Sequence, residues 1–168
     1  MIEKAQITDA NAIARIHVEG WQKAYKGIMP QHYLDSLSIE ERAKRWESML
    51  ESEDFEVWVF KQYKDVRGWV SFGPSRDKDA SDKTAEVRAI YVEPNFWGRG
   101  IGRELLAKAM AELKNAGFKE VTLWVLEDNH RTVRFYEHQG FTLCPSGPKK
   151  HEIAGKSLNK IRFRQNSL

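Results

Sequence analysis

The order of predicted elements places this chain in the mixed α+β class, and two observations carry that reading. Two strand-like runs, Phe55–Lys61 and Val66–Gly73, adjoin through the Tyr63-Lys64-Asp65 turn, as the arms of a hairpin do. Further on, strand, helix and strand alternate from Thr84 to Leu126, and a helix that joins two strands favours their parallel pairing. The 168 residues suit one domain spanning 1–168, long enough to bury a sizeable core.

The elements follow in order. Ile2 to Ile7 reads as a first strand. Thr8 and Asp9 are helix-capping types, and Ile13, Ile16 and Val18 fit a helix from Ala10 to about Trp21. Gly27 and Pro30 interrupt it. A short helix is expected over Gln31 to Leu37. Ser38 with Glu41 forms a capping box that opens a helix to about Leu50. After the hairpin, the polar stretch Pro74 to Lys83 reads as a mobile loop. Thr84 to Val92 is a strand. Ile101, Leu105, Leu106, Ala109 and Leu113 share one helix face, which Asn115 and Gly117 stop. Val121 to Leu126 is a strand, and Asn129 caps a helix through His138. A strand begins at Phe141 to Cys144 and breaks at Ser146-Gly147-Pro148. Ser157 to Arg164 is the last strand. Lys160, Arg162 and Arg164 alternate along it and read as a solvated face.

Composition excludes several classes. With 41% hydrophobic and 30% charged residues, the chain is an ordinary globular protein and not a disordered one. A net charge of +3 is too small to point to nucleic acid, yet it suits an anionic ligand. No apolar run is long enough to span a bilayer, and the first residues lack a signal peptide's apolar core. Cys144 is the one cysteine, so no internal disulfide forms. A cytoplasmic location is the expectation. His17, His32, His130, His138 and His151 offer no metal-ligand spacing, so no metal is expected.

The densest signal is the strand ending Ile90-Tyr91-Val92, followed by Trp97-Gly98-Arg99-Gly100-Ile101-Gly102-Arg103 at the start of a helix. Glycine allows positive φ and a close approach of backbone to ligand. Unpaired N–H groups at a helix N-terminus hold phosphate. The loop lacks the Gly-Lys-Ser/Thr of a Walker loop, and its glycines fall as G-x-G-x-G, not as the dinucleotide G-x-G-x-x-G.

These residues resemble the GNAT family of N-acetyltransferases, whose acyl-CoA loop reads Gln/Arg-x-x-Gly-x-Gly/Ala. A second family signature follows at Asn129-His130-Arg131-Thr132-Val133-Arg134-Phe135-Tyr136, with Gly140-Phe141 after it. The likeness is strong from about Thr84 to Phe141. Trp97 departs from it, standing where the family carries Gln or Arg. The resemblance implies the GNAT fold: a central, mostly antiparallel sheet flanked by helices, with the fourth and fifth strands splayed around acyl-CoA. It implies transfer of an acetyl group from acetyl-CoA to a primary amine by direct attack, without a nucleophilic triad.

On that resemblance, backbone groups of Ile90, Tyr91 and Val92 pair with the pantetheine arm. The loop from Trp97 to Arg103 holds the pyrophosphate, with Arg99 and Arg103 facing either phosphate or solvent. Asn129 contacts pantetheine as well as capping its helix. Tyr136 is the candidate general acid for the departing thiolate, against a plain packing role. Glu86 is the candidate general base, against a solvated strand-end carboxylate. His17, Trp21 and Tyr25, at four-residue spacing, share a helix face if the helix continues. They are then either an acceptor pocket or core. The acceptor is a small molecule or a peptide amine, with neither nucleic acid nor membrane as partner. The exposed basic last strand suits a homodimer. The rival reading is a GNAT-fold module that binds CoA without catalysis. Tyr136 argues against it, since binding alone has no need of that hydroxyl.

Overall fold

A computed structural model describes residues 1–168, and in it eight strands form one sheet in the order β1-β2-β3-β4-β5-β8-β6, with β7 pairing β8. The strands are β1 (Ile2–Lys4), β2 (Glu56–Gln62), β3 (Asp65–Pro74), β4 (Thr84–Val92), β5 (Glu120–Leu126), β6 (Thr142–Leu143), β7 (Lys149–Ile153) and β8 (Lys156–Gln165). The helices are α1 (Ala10–Ala24), α2 (Gln31–Asp35), α3 (Ile39–Leu50), α4 (Ile101–Asn115) and α5 (His130–His138). All pairings are antiparallel except β4 with β5, the pair that α4 connects. No helix is long and apolar enough to cross a membrane.

Two features of β4 shape everything that follows. First, β4 pairs with β5 only from Thr84 to Glu86, against Glu120 to Thr122. Beyond that point the strands part, and the β5-facing edge of β4 is bare. Second, Phe72 faces Val87 and Ser71 faces Ala89, so Arg88 is an extra residue in the ladder with β3. Such a bulge switches which face successive side chains take. Val87 packs with Leu105 and Leu106 of α4, whereas Ala89 packs with Ile13 of α1 and Trp46 of α3.

The two faces have separate cores. α4 and α5 cover one, around Phe72, Leu105, Leu123 and Phe163. α1 and α3 cover the other, around Ile13, Trp46, Val59 and Trp69. A third cluster joins Met29 and Leu34 to Leu126, Ile153 and Leu158, so the α1–α2 segment packs on the β7–β8 hairpin.

Local reasons for the elements hold well. Ser38 Oγ accepts from Glu41 N at 3.2 Å, and Asn129 Oδ1 caps α5 from Thr132 N at 3.5 Å. α1 runs one turn beyond Trp21, to Ala24. Three expectations need correction. The strand β7 was not foreseen, because Lys149-Lys150-His151-Glu152-Ile153 shows no apolar alternation. The stretch expected as a mobile loop is anchored: Asp77 accepts from Trp124 Nε1 at 3.0 Å, and Arg162 binds Asp79 at 2.7 Å. The basic face of the last strand is not simply solvated, since Asp77 and Asp79 close over a half-buried Arg162.

Candidate active site

Where β4 and β5 part, a cleft of about 820 Å³ opens between them. Its floor is the end of β4 from Arg88 to Val92. Its far wall is Trp124 to Leu126 of β5. The loop Trp97 to Arg103 lies at one end, and Trp21, Tyr25, His151 and Lys160 at the other side. No Asp or Glu lines it.

The glycine loop leaves a run of backbone N–H groups without acceptors. Gly98 and Gly100 take φ of +77° and +85°, and Gly100 is the left-handed residue from which α4 starts. A side chain at either would be strained. No acceptor takes the N–H groups from Gly98 to Arg103; the first bonded one is Glu104 N, to Gly100 O at 3.0 Å. Donors left bare at a helix N-terminus suit a phosphate. Arg99 and Arg103 flank them, and the Arg99 guanidinium rests over Phe96, 4.7 Å from its centroid.

Trp97 does work of its own. Its Nε1 donates to Val92 O at 2.8 Å, tying the loop to the end of β4. Arg131 lies 3.8 Å over its ring, and Lys23 5.3 Å from it. The Val92 carbonyl is therefore already used, which leaves the Val92 N–H and both backbone groups of Ile90 on the free edge of β4, since Tyr91 turns its backbone groups toward β3. Sequence reasoning overlooked Glu93, which fixes the exit from β4. It accepts from Arg67 at 2.8 Å and from Arg15 at 3.3 Å.

Tyr136 reaches the cleft from α5 and is buried. Burial, with the Tyr25 phenol nearby, pushes its hydroxyl well above its ordinary value. It therefore holds its proton throughout the neutral range. Asn129 is also buried in the cleft wall. Tyr91 is held in place by Trp21, whose Nε1 donates to the Tyr91 hydroxyl at 2.5 Å. Tyr25 stacks edge-on to Trp21, with centroids 5.3 Å apart.

The expected residues are thus not all gathered in one place. Ile90, Tyr91, Val92, Trp97 to Arg103, Asn129 and Tyr136 line the cleft, as do Trp21 and Tyr25. His17 does not. It shares their helix face but points into the core, among the rings of Trp46, Trp69 and Tyr91. Burial lowers its pKa to about 3, so it stays neutral there. Glu86 does not line the cleft either. It is 4% exposed in the paired part of β4. Arg76 holds both of its oxygens, from Nη2 at 2.7 Å and Nε at 3.2 Å.

Among the cleft residues that sequence reasoning missed as site residues are His151 and Lys160. Burial lowers the His151 imidazole, helped by Lys160 and Lys149 beside it. Both reach the cleft through the β7–β8 hairpin, and only the unforeseen strand brings them there.

A sheet parted around a bare strand edge, with unbonded loop N–H groups at one end and a buried phenol inside, is the architecture of an acyl-CoA-dependent N-acetyltransferase. The chain belongs to the acetyltransferase (GNAT) family, whose model matches residues 18–141. It is 33% identical to the uncharacterized N-acetyltransferase YuaI of Bacillus subtilis, over 95% of this chain and 89% of that one. Its fold is that of the ribosomal-protein-alanine N-acetyltransferase of Brucella melitensis, with a TM-score of 0.77 at 24% identity over 99% of both chains. The paia N-acetyltransferase of Thermoplasma acidophilum, solved with coenzyme A, matches with a TM-score of 0.75 at 21% identity, over 96% of both chains.

Proposed function

We propose that this chain moves an acetyl group from acetyl-CoA to a primary amine by direct attack of the amine. The observation that carries this reading is the parted β4–β5 pair. It places bare backbone donors at one end, a bare strand edge along the middle and a protonated phenol inside one cleft.

Each residue then has a task. N–H groups from Gly98 to Arg103 take the pyrophosphate, with Arg99, Arg103 and Arg131 adding charge. The β4 edge at Ile90 and Val92 pairs with the pantetheine amides, as an added strand would. One N–H of that edge polarises the thioester carbonyl. The amine enters from the α1–α2 side, past Trp21 and Tyr25. A carbon–nitrogen bond forms, the carbon–sulfur bond breaks, and the electron pair leaves on sulfur. Tyr136 gives its proton to that sulfur, and His151 takes the proton lost by the amine. His151 suits the task because it faces the cleft and its lowered pKa keeps it neutral. Glu86 is the other candidate base, and its engagement by Arg76 favours a positioning role.

The direct test mixes the protein with acetyl-CoA and a panel of primary amines, and follows free CoA thiol. Turnover of any amine above the uncatalysed rate supports the reading. Tight calorimetric binding of acetyl-CoA with no amine turned over would leave a CoA-binding module in its place.

A further inference from the structure

Charge is unevenly matched across this molecule. Away from the cleft, Lys61, Arg67 and Arg162 each sit against two carboxylates. Inside it, Arg88, Arg99, Arg103, Arg131 and Lys160 form no ion pair, and no acidic residue lines the walls. Unpaired cations in a half-buried cleft are costly unless a ligand supplies the opposite charge. The phosphates of the cosubstrate answer for the three arginines near the glycine loop. They do not answer for Arg88 and Lys160.

Those two come from different strands to the opposite side. Arg88 is the bulge residue of β4, two positions past Glu86, where the sheet begins to open. Its guanidinium rests over the Phe55 ring, 4.8 Å from the centroid, its Nη2 reaches Pro74 O at 3.5 Å, and its Nε is buried without an acceptor. Lys160 lies on β8, opposite Leu126. Leu126 packs with Met29 and Leu34, so this is the α1–α2 side, away from α4. Both cations line the same cleft.

Given the acyl-transfer role proposed above, we infer that the acceptor is a primary amine that also carries a carboxylate, as a free amino acid does. Arg88 and Lys160 hold that carboxylate on the α1–α2 side of the cleft. A diamine, or a lysine in a basic peptide, meets like charge there and is rejected. The same positive field disfavours the ammonium form of the entering amine, so the amine arrives ready to attack.

The experiment compares acceptors that differ in one charge. Initial rates are measured at saturating acetyl-CoA for the standard amino acids, for their carboxamides and for putrescine. A charge-assisted hydrogen bond predicts kcat/KM about 10- to 100-fold higher for acids than for their amides. Lys160→Met and Arg88→Met should shrink the acid-over-amide preference in kcat/KM about tenfold, whatever either change does to both acceptors alike. Equal rates for acids and amides, or a preference for putrescine, would overturn the inference while leaving acetyl transfer intact. A second arm needs no turnover: calorimetric binding of N-acetyl amino acids to the CoA-saturated protein, against their amides. Selective binding of the acids, lost in Lys160→Met, supports the site even if no acceptor is acetylated. Equal or absent binding of both counts against it.

Discussion

Arg76 grips Glu86 from two sides, with Nη2 on one carboxylate oxygen at 2.7 Å and Nε on the other at 3.2 Å, and the Arg76 backbone N–H adds a third contact at 3.2 Å. The acid is buried and the base is largely exposed. The pair locks the β3–β4 connection onto the last residue of β4 that pairs with β5. Arg76→Ala should leave a buried carboxylate with one backbone donor and destabilise the protein by about 1–3 kcal/mol. Urea denaturation of the variant measures this. A midpoint equal to wild type would show that solvent replaces the guanidinium.

The same geometry separates two candidates for the base. His151→Gln should lower turnover about 100-fold at neutral pH, with partial recovery at high pH, where the amine arrives neutral. Glu86→Gln should keep a pH profile parallel to wild type. Rate–pH profiles of both variants decide, and the reverse pattern would return the base role to Glu86.

Tyr136→Phe removes one hydroxyl and keeps the ring that packs against Phe135 and Phe141. Acetyl-CoA affinity should stay near wild type while turnover falls about 100-fold. Because burial raises the phenol's pKa, wild-type activity should show no loss from Tyr136 ionisation in the mildly alkaline range. Full activity in Tyr136→Phe would assign the residue to packing alone.

Gly100 sits at φ +85°, where an L side chain is strained. Gly100→Val should cost about 1–2 kcal/mol at that position and push the loop away from the cradle geometry. Calorimetry should show acetyl-CoA bound at least about tenfold more weakly, equivalent to 1.4 kcal/mol. Unchanged binding by a folded variant would move the phosphate site elsewhere.

His17 carries a pH signature of stability. Its pKa falls from 6.5 to about 3 on folding, so the unfolded chain takes up the proton first. The stability it contributes is complete above pH 6.5 and is lost as pH falls toward 3. The slope from this one group is at most about 1.4 kcal/mol per pH unit. His17→Phe keeps a ring among Trp46, Trp69 and Tyr91 and should flatten that part of the curve. Urea midpoints between pH 4 and 7 test it, and an unaltered slope would place the proton on another group.

What could be read from the sequence was what is locally encoded. β4, the glycine loop and α4 followed from a β-branched run, glycines and a four-residue apolar spacing, and each came out within a residue or two. Asn129 and Ser38 announced their helices by the chemistry of capping. What failed depends on partners far away in the chain. The bulge at Arg88 exists only in register with β3, so no pattern within β4 reveals it. Period-two spacing rightly put Lys160, Arg162 and Arg164 on one face. It could not say that Asp77 and Asp79 fold over that face, or that the cleft opens beside Lys160. His17 illustrates the same limit. Its helical spacing with Trp21 was correct, yet the wrap of α3 decides that Trp46 covers it.

The short β4–β5 pairing has one more consequence. Between the block β1–β4 and the block β5–β8 the sheet is bridged by hydrogen bonds only over Thr84–Glu86 and Glu120–Thr122, with α4 spanning the two. A ligand in the gap becomes the missing rung of the ladder and mends a seam that the polypeptide leaves open. On the placement proposed above, occupancy and cohesion are linked: resistance to heat rises with the logarithm of cosubstrate concentration once that exceeds its dissociation constant. The enzyme is at its firmest when charged for reaction and at its loosest when there is nothing to transfer.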